Sequence, residues 1–211
     1  MKRVYVFDVD GTLIDSMGEW AKAVPSLLEE KGIPYPDDLI KRVVALGLPG
    51  VSKYLTEHFP LNMTADEVLA HLFALFKKKY ADEIGAKEGA RETLLALKER
   101  GVILCTLTAG AHILFDACLQ RLGLWDLFDY CWSTEDFPVS KADPAIYALL
   151  AQRLGVSTAD CVMVDDSISA LAAAVEGGVC AVGIYDDFSK DNEMQIRAMV
   201  NRYIYRLEEL L

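Results

Sequence analysis

Short apolar runs that end in polar or acidic residues recur along this chain, with helical patterns between them. Such runs are typical of parallel strands, which are buried on both faces and are joined by helical connections. The pattern therefore predicts an α/β fold with a doubly wound, Rossmann-like parallel sheet as the middle of three α/β/α layers. The predicted strands are Val4–Phe7, Val102–Leu107, Tyr130–Trp132, Cys161–Val164 and Val179–Ile184.

One stretch departs from this alternation. Residues 15–87 contain no convincing strand and several amphipathic helical patterns. Within them, Thr64 and Glu67 form a capping box ahead of an apolar helical face, and the glycines and proline of residues 47–50 predict a turn. We expect a Rossmann-like core of residues 1–14 and 88–211, interrupted by an all-helical domain of residues 15–87.

The C-terminal residues fit two structures. The apolar residues there could form an edge strand followed by a short helix, or one amphipathic helix: Tyr203, Ile204, Leu207, Leu210 and Leu211. We expect this segment to pack on the protein's own sheet, with a dimer interface as the alternative. The chain is therefore expected to be a monomer or a weak homodimer.

Charge and composition exclude several classes of partner. The 211 residues carry a formal net charge of -11, which repels nucleic acid and anionic lipid. No apolar run approaches the length of a membrane span, and Asp8 and Asp10 interrupt any N-terminal signal segment. The five cysteines lack metal or disulfide spacing, which favours reduced core thiols and a cytoplasmic location.

The segment Asp8-Val9-Asp10-Gly11-Thr12 directly follows the first predicted strand. Ligands of open α/β sheets bind just outside the carboxyl ends of strands. Two carboxylates at positions i and i+2 can supply a nucleophile and a proton donor on the same side of a substrate. Gly11 frees the backbone there, and Thr12 adds a hydroxyl.

Other predicted strand ends carry groups that suit a phosphate. Thr108, Ala109 and Gly110 follow the second strand and offer a hydroxyl and backbone N–H groups. Lys141 precedes a helix start, where its ammonium can neutralise charge on a transferring group. Asp165 and Asp166 end the fourth strand and are hard oxygen ligands that suit Mg²⁺.

The four aspartates at these strand ends require a cation if they converge. Two like charges about 4 Å apart repel by roughly 4 kcal/mol at an effective dielectric constant near 20. Asp8, Asp10, Asp165 and Asp166 could not meet as ionised groups without compensation. A divalent metal together with Lys141 supplies it, and Mg²⁺ needs only a few carboxylates beside substrate phosphate.

With these four motifs in this order, the chain resembles the haloacid dehalogenase-like hydrolase superfamily over essentially its whole length. The helical insertion after the first motif is similar to the cap of the subgroup that contains phosphoglycolate phosphatase-like and β-phosphoglucomutase-like enzymes. An acid at position 10 argues against a true dehalogenase, because that branch lacks it.

The resemblance implies a role for each motif residue. Asp8 would attack phosphorus and form an aspartyl phosphate, and Asp10 would protonate the leaving oxygen and then activate water. Thr108 and Lys141 would hold the phosphoryl group. Asp166 together with Asp165 would bind Mg²⁺ alongside the Asp8 carboxylate and the Asp10 backbone carbonyl. The expected substrate is a small phosphorylated metabolite, over which the helical domain would close.

The chain departs from the family pattern at several positions. The fourth motif is Asp165-Asp166 followed by Ala170, where many relatives have Gly-Asp and a further acid, and Ala109 replaces a common asparagine. The histidine and arginine with which mutases of this type grip a second phosphate are missing from the segments of residues 16–20 and 47–53. The acidic pair resembles the mutase-like variant of the fourth motif, whereas the missing histidine and arginine favour hydrolysis over mutase chemistry.

Alternatives to the phosphatase prediction remain. A phosphomutase would return the phosphoryl group to a sugar, and a catalytically silent protein could keep the pocket to sense a metabolite. A phosphoacceptor signalling module also combines acids, a threonine and a lysine, but on a shorter domain.

Four further residues each have two possible roles. In the helical domain, Met17, Trp20 and Lys53 either line a substrate pocket or serve packing and solvation. Outside that domain, His112 either begins a helix or contacts substrate.

Overall fold

The computed structural model describes residues 3–43 and 46–211. Its centre is a parallel sheet of six strands in the order β3-β2-β1-β4-β5-β6. The strands are β1 Val4–Phe7, β2 Ile103–Thr108, β3 Tyr130–Ser133, β4 Cys161–Asp165, β5 Cys180–Ile184 and β6 Arg202–Ile204. The predicted parallel α/β sheet is confirmed, and each strand predicted from an apolar run lies within one residue of its observed bounds.

Helices connect the strands, and those of the sheet unit flank the sheet. Along the chain they are α1 Met17–Glu30, α2 Leu39–Val43, α3 Gly47–His58, α4 Ala65–Asp82, α5 Ala90–Glu99, α6 His112–Arg121, α7 Ala145–Leu154, α8 Ile168–Glu176 and α9 Glu193–Met199. In the described part of the chain, none of the helices is both long enough and apolar enough to cross a bilayer.

The central strands supply the core of the sheet. Val4 and Val6 of β1 and Leu104, Cys105 and Leu107 of β2 are fully buried. A strand that is covered on both faces can bury every side chain, which explains why these runs are apolar without alternation. Phe7 pairs with Thr106 on one side and with Val164 on the other, so the carboxyl ends of β1, β2 and β4 lie side by side.

The chain divides into two compact units. The sheet unit comprises Met1–Asp15 and Gly85–Leu211, and the helical unit comprises Ser16–Ile84. The two connections between them pair with each other inside the sheet unit: the Asp15 N–H donates to Gly85 O, and the Lys87 N–H donates to Leu13 O, each over 2.9 Å.

The helical unit has its own packing. Trp20 of α1 contacts Phe76 of α4 with ring centroids 4.2 Å apart, and its indole N–H donates to the Tyr80 hydroxyl over 3.1 Å. Trp20 therefore packs within the helical unit, in agreement with the packing alternative given for it above. The predicted capping box is confirmed, because Thr64 and Glu67 each accept from the other's backbone N–H at the start of α4.

The predicted turn at residues 47–50 is wrong, because α3 begins at Gly47. Pro49 lies in the first helical turn, where the N–H that it lacks would have no partner within the helix.

At the C-terminus, the edge-strand alternative is confirmed: β6 pairs in parallel with β5, and a short 3₁₀ helix spans Leu207–Leu210. Helix α9 is an element that the sequence analysis did not predict.

Candidate active site

Three neighbouring strands place polar side chains at one edge of the sheet. Asp8 follows β1, Thr108 is the last residue of β2, and Asp165 is the last residue of β4. The Asp8 N–H donates to Val164 O over 2.9 Å, so the parallel pairing of β1 and β4 continues to the catalytic candidate itself. Register alone therefore brings these motif residues together.

Three aspartates form a buried acidic cluster. Asp8, Asp165 and Asp166 each offer a carboxylate oxygen, and these atoms lie within 4.8 Å of one another. Asp165 is held on both sides, because its Oδ1 accepts the Ser167 N–H over 2.8 Å and its Oδ2 lies 2.7 Å from the Lys141 ammonium. We refer to Asp8, Asp165 and Asp166 as the acidic cluster below.

Lys141 enters the cluster from the loop before α7. The Asp143 carboxylate accepts the Ala145 N–H over 2.9 Å and Pro144 caps the helix, which fixes the chain just after the lysine. The Lys141 ammonium donates to Asp8 Oδ1 and also contacts Asp165, and its side chain is buried. It is a buried cation held between two carboxylates of the cluster.

Burial and mutual repulsion perturb the titration of the cluster. Burial raises the pKa of Asp8 to about 7, because the loss of water outweighs the attraction of Lys141. Burial also raises the pKa of Asp166 well above its usual range, with Asp165, Asp8 and Asp186 adding repulsion. For Lys141, burial lowers the pKa, but Asp165 and Asp8 outweigh it and the net shift is upward.

The loop after β1 depends on Gly11. Its φ of 79° lies in the left-handed region, and a Cβ built there would come within 2.9 Å of Asp166 Oδ2. Glycine is therefore required both for the backbone turn and for the close approach of the acidic cluster. The neighbouring Thr12 is fully buried, and its hydroxyl has no hydrogen-bond partner among the described residues.

Asp10 and Thr108 meet at Gly110. A Cβ built on Gly110 would lie 3.2 Å from Asp10 Oδ2 and 3.3 Å from Thr108 Oγ1. The Gly110 N–H donates to Thr108 Oγ1 over 3.0 Å, which leaves the hydroxyl hydrogen of Thr108 available for another acceptor. Ala109, between them, is exposed.

The structure thus places the predicted residues in two adjacent groups. Lys141 joins the acidic cluster, and Gly11 packs against it. Asp10 and Thr108 lie at Gly110 on the side of β2. Thr12 is buried beneath the loop and Ala109 faces outward, so neither side chain is brought to the carboxylates by a contact in the structure.

His112 is fixed by acids at the start of α6. Its Nε2 lies 2.8 Å from Asp136 Oδ2, its Nδ1 lies 3.1 Å from Asp116 Oδ1, and its backbone N–H donates to Glu135 Oε2 over 3.0 Å. The predicted helix start at this residue is confirmed. The ring ties α6 to the turn that follows β3.

Sequence reasoning missed Asp186, a buried acid after β5 that pairs with Lys87. A signal was present, because Asp186 also follows an apolar strand, as Asp8 and Asp166 do. The partner lysine could not be found in this way, since it lies 99 positions earlier in the chain.

The buried acid–lysine cluster lies at the carboxyl ends of parallel strands, where ligands of open α/β sheets bind, and a helical unit interrupts the sheet unit after the first strand. The family model of haloacid dehalogenase-like hydrolases matches residues 2–178, and the chain belongs to that family.

Individual relatives agree with this class. The chain is 30% identical to the phosphoglycolate phosphatase of Neisseria meningitidis over 84% of its length and 78% of that protein's length. It is 27% identical to the validoxylamine A 7'-phosphate phosphatase of Streptomyces hygroscopicus, over 87% and 86% of the two chains. The protein is a phosphohydrolase enzyme.

The crystal structure of a Thermotoga maritima protein assigned as a β-phosphoglucomutase is similar across the whole chain. It superposes with a TM-score of 0.78 and 25% identity, covering 100% of this chain and 97% of that one. The expected similarity to the subgroup of phosphoglycolate phosphatases and β-phosphoglucomutases is confirmed.

Proposed function

We propose that this protein is a Mg²⁺-dependent phosphatase that hydrolyses a small phosphorylated metabolite through an aspartyl phosphate on Asp8. The observation that carries the proposal is the geometry around Asp8: a buried carboxylate that contacts Lys141, beside two further buried aspartates, with Asp10 and Thr108 converging at Gly110. These groups supply a nucleophile, an acid–base residue, a cation and a hydroxyl donor within one edge of the sheet.

The donor set fits a magnesium ion. The acidic cluster is buried and consists of carboxylate oxygens, which Mg²⁺ prefers, and among the described residues its three acids outnumber the one ammonium, that of Lys141, that contacts them. Burial, with added repulsion from neighbouring aspartates, raises the pKa values of Asp8 and Asp166, so a cation at the cluster would favour their charged forms. Asp166 and Asp8 would hold the ion, with the Asp10 backbone carbonyl; bound there, Mg²⁺ would neutralise negative charge on the substrate phosphate.

The carboxylate of Asp165 makes contacts that suit a different role from that of Asp166. Both of its oxygens are engaged, one by the Ser167 N–H and one by Lys141. We infer that Asp165 mainly orients the Lys141 ammonium, and that Asp166 is the principal acid of the fourth motif in metal binding.

In the first half of the reaction, an Asp8 carboxylate oxygen attacks phosphorus and the bond between phosphorus and the ester oxygen breaks. Asp10 donates its proton to the leaving oxygen, which departs as an alcohol. Lys141 attracts the negative oxygens of the transferring group, and the Thr108 hydroxyl donates to one of them while it accepts the Gly110 N–H.

In the second half, ionised Asp10 takes a proton from water, and the resulting hydroxide attacks phosphorus. The bond between phosphorus and Asp8 breaks, inorganic phosphate leaves, and the Asp8 carboxylate is regenerated. Asp10 is protonated again at the end, so both residues return to their starting states.

The substrate class is a small phosphomonoester, such as phosphoglycolate or a sugar phosphate. Curated relatives with nearly equal identity are named for different phosphate esters, so sequence identity does not select among them. The net charge of -11 supports a small-molecule substrate over nucleic acid or a membrane surface.

A phosphomutase is the second candidate, because the 25% identity to the Thermotoga maritima protein extends along the whole chain. Against it stands the lack of a histidine in residues 16–20 and of an arginine in residues 47–53, two groups that would grip a second phosphate. An isomerised sugar phosphate in place of free phosphate would establish this candidate.

The test is phosphate release from a panel of small phosphomonoesters, with Mg²⁺ and with chelator. Wild type should release phosphate only with the metal. Asp8→Asn should abolish release, and Asp10→Asn should slow it by about 10²- to 10⁴-fold through loss of acid–base catalysis. Asp187→Asn, an exposed acid of the same unit, is the control that should keep the wild-type rate. Wild-type turnover by Asp8→Asn would refute the mechanism.

A further inference from the structure

A buried ion pair lies in the sheet unit beside the residues described above. The Lys87 ammonium donates to Asp186 Oδ2 over 2.7 Å and to Tyr185 O over 3.2 Å. The two side chains are only 16% and 6% exposed. Taking two charges out of water to this degree is costly unless their mutual pairing and further hydrogen bonds compensate.

The Asp186 carboxylate is fixed on both oxygens. Its Oδ1 accepts the Phe188 N–H over 2.9 Å while its Oδ2 accepts from Lys87. The turn that it organises is closed by the Ser189 N–H, which donates to Asp186 O over 3.1 Å. Asp186 is therefore a rigidly placed negative charge whose one ionic partner in the contacts above is Lys87.

Both members of the pair are joined to elements that carry the acidic cluster. Asp186 follows β5, and β5 pairs with β4 so that Gly183 lies opposite Asp165. Asp186 thus emerges at the same edge of the sheet as Asp166. Lys87, for its part, donates its backbone N–H to Leu13 O, in the loop that follows Asp8.

We propose that Lys87 and Asp186 form a charge-balancing pair that sets the affinity of the acidic cluster for its divalent cation. An unpaired Asp186 would make this edge of the sheet more negative, which would tighten cation binding and repel a phosphate ester. Lys87 cancels that charge without entering the cluster. Lys87 and Asp186 are therefore positioning residues, and this inference rests on the metal dependence of the proposed function.

The test is a calorimetric titration of Mg²⁺ into the full-length protein without substrate. Lys87→Met should tighten Mg²⁺ binding and Asp186→Asn should weaken it, each by about threefold to tenfold, the order of effect expected for one unit charge that acts on a divalent ion through a water-like medium without touching it. The double variant should return to near the wild-type affinity, because it removes both charges.

Opposite signs distinguish this role from a merely structural one. Loss of a structural ion pair would loosen the site and weaken Mg²⁺ binding in both single variants. Lys190→Met is the matched control, since it removes an exposed cation from the segment after β5, and it should leave the affinity within about twofold of wild type. Lys87→Arg keeps the charge and should also bind Mg²⁺ as wild type does.

The outcomes separate this inference from the proposed function. If wild type binds no Mg²⁺, the metal dependence proposed above fails. If wild type binds Mg²⁺ but the two single variants shift in the same direction or not at all, the charge-balancing role is overturned and the proposed function stands. If Lys87→Met does not fold, as judged by circular dichroism, Asp186→Asn and the double variant still decide. The proposal requires weaker Mg²⁺ binding in Asp186→Asn and near-wild-type binding in the double variant, whereas unchanged affinity in Asp186→Asn, or equally weakened affinity in both, overturns it.

Discussion

At the scale of single residues, the candidate site depends on a few close approaches. Lys141 stands between Asp8 and Asp165, and Gly11 leaves room for Asp166. Each of these contacts joins residues far apart in the chain, and each serves to hold carboxylates closer together than their charges favour. Carboxylates held this close together repel one another, and a cation must offset that repulsion.

Gly11 allows a matched test of that crowding. Gly101 has a similar φ of 73° but open space where its Cβ would be, whereas the Gly11 Cβ would meet Asp166 at 2.9 Å. Gly101→Ala should cost about 1–2 kcal/mol from left-handed backbone strain alone. Gly11→Ala should cost more and should also weaken Mg²⁺ binding. Equal losses of stability in denaturant melts, with Mg²⁺ affinity unchanged in both, would show that the Asp166 contact is unimportant.

At the scale of elements, the site is assembled by strand ends and anchored by helix starts. Parallel register places Asp8, Thr108 and Asp165 at one edge, while the start of α7 fixes the chain after Lys141. Helix α6 begins just after Gly110, and its first residue, His112, is bound to acids of the turn that follows β3. The loop between Thr108 and α6 is thereby held at both ends.

His112 should make this anchoring dependent on pH. Burial lowers its pKa, but hydrogen bonds to Asp136 and Asp116 outweigh burial, so the pKa lies above its ordinary value of 6.5. When the pKa of a group is higher in the folded protein than in the unfolded one, the group stabilises the fold fully at pH values below its unfolded-state pKa. It loses that contribution as the pH rises through its folded-state pKa. Compared by urea denaturation, wild type should exceed His112→Gln in stability by more at pH 6 than at pH 9. A difference that stays constant across this range would contradict the assignment.

At the scale of the whole molecule, the sheet unit carries the acidic cluster and should be stabilised by the metal it binds. A ligand present at 100 times its dissociation constant stabilises a folded protein by about 2.7 kcal/mol. Saturating Mg²⁺ should therefore raise the melting temperature of wild type relative to chelator, and Asp166→Asn should lose most of that increase. An increase of the same size in Asp166→Asn would place the ion elsewhere.

The sequence analysis predicted those parts of this architecture that local patterns determine. Strand ends such as Asp8, Thr108 and Asp165 follow from apolar runs and from the way parallel strands align. The start of α3 at Gly47 was missed because a glycine–proline stretch normally indicates a turn, yet proline is tolerated in a first helical turn. The pairing of Lys87 with Asp186 depends on tertiary structure alone, since nothing local distinguishes Lys87 from a solvated lysine.

The central claim is that Asp8 becomes phosphorylated during turnover. The most direct measurement is mass spectrometry of Asp10→Asn protein that is mixed with substrate and Mg²⁺ and then quenched in acid. Since Asp10 also protonates the leaving oxygen, the substrate is an aryl phosphate ester, whose leaving oxygen needs little help from an acid. Because this variant lacks the base that activates water, it should then accumulate one phosphoryl group per chain, located in the peptide that contains Asp8 and lost in the Asp8→Asn, Asp10→Asn double variant. A phosphoryl group on another residue, or continued phosphate release with Asp8 unmodified and replaceable, would contradict the account.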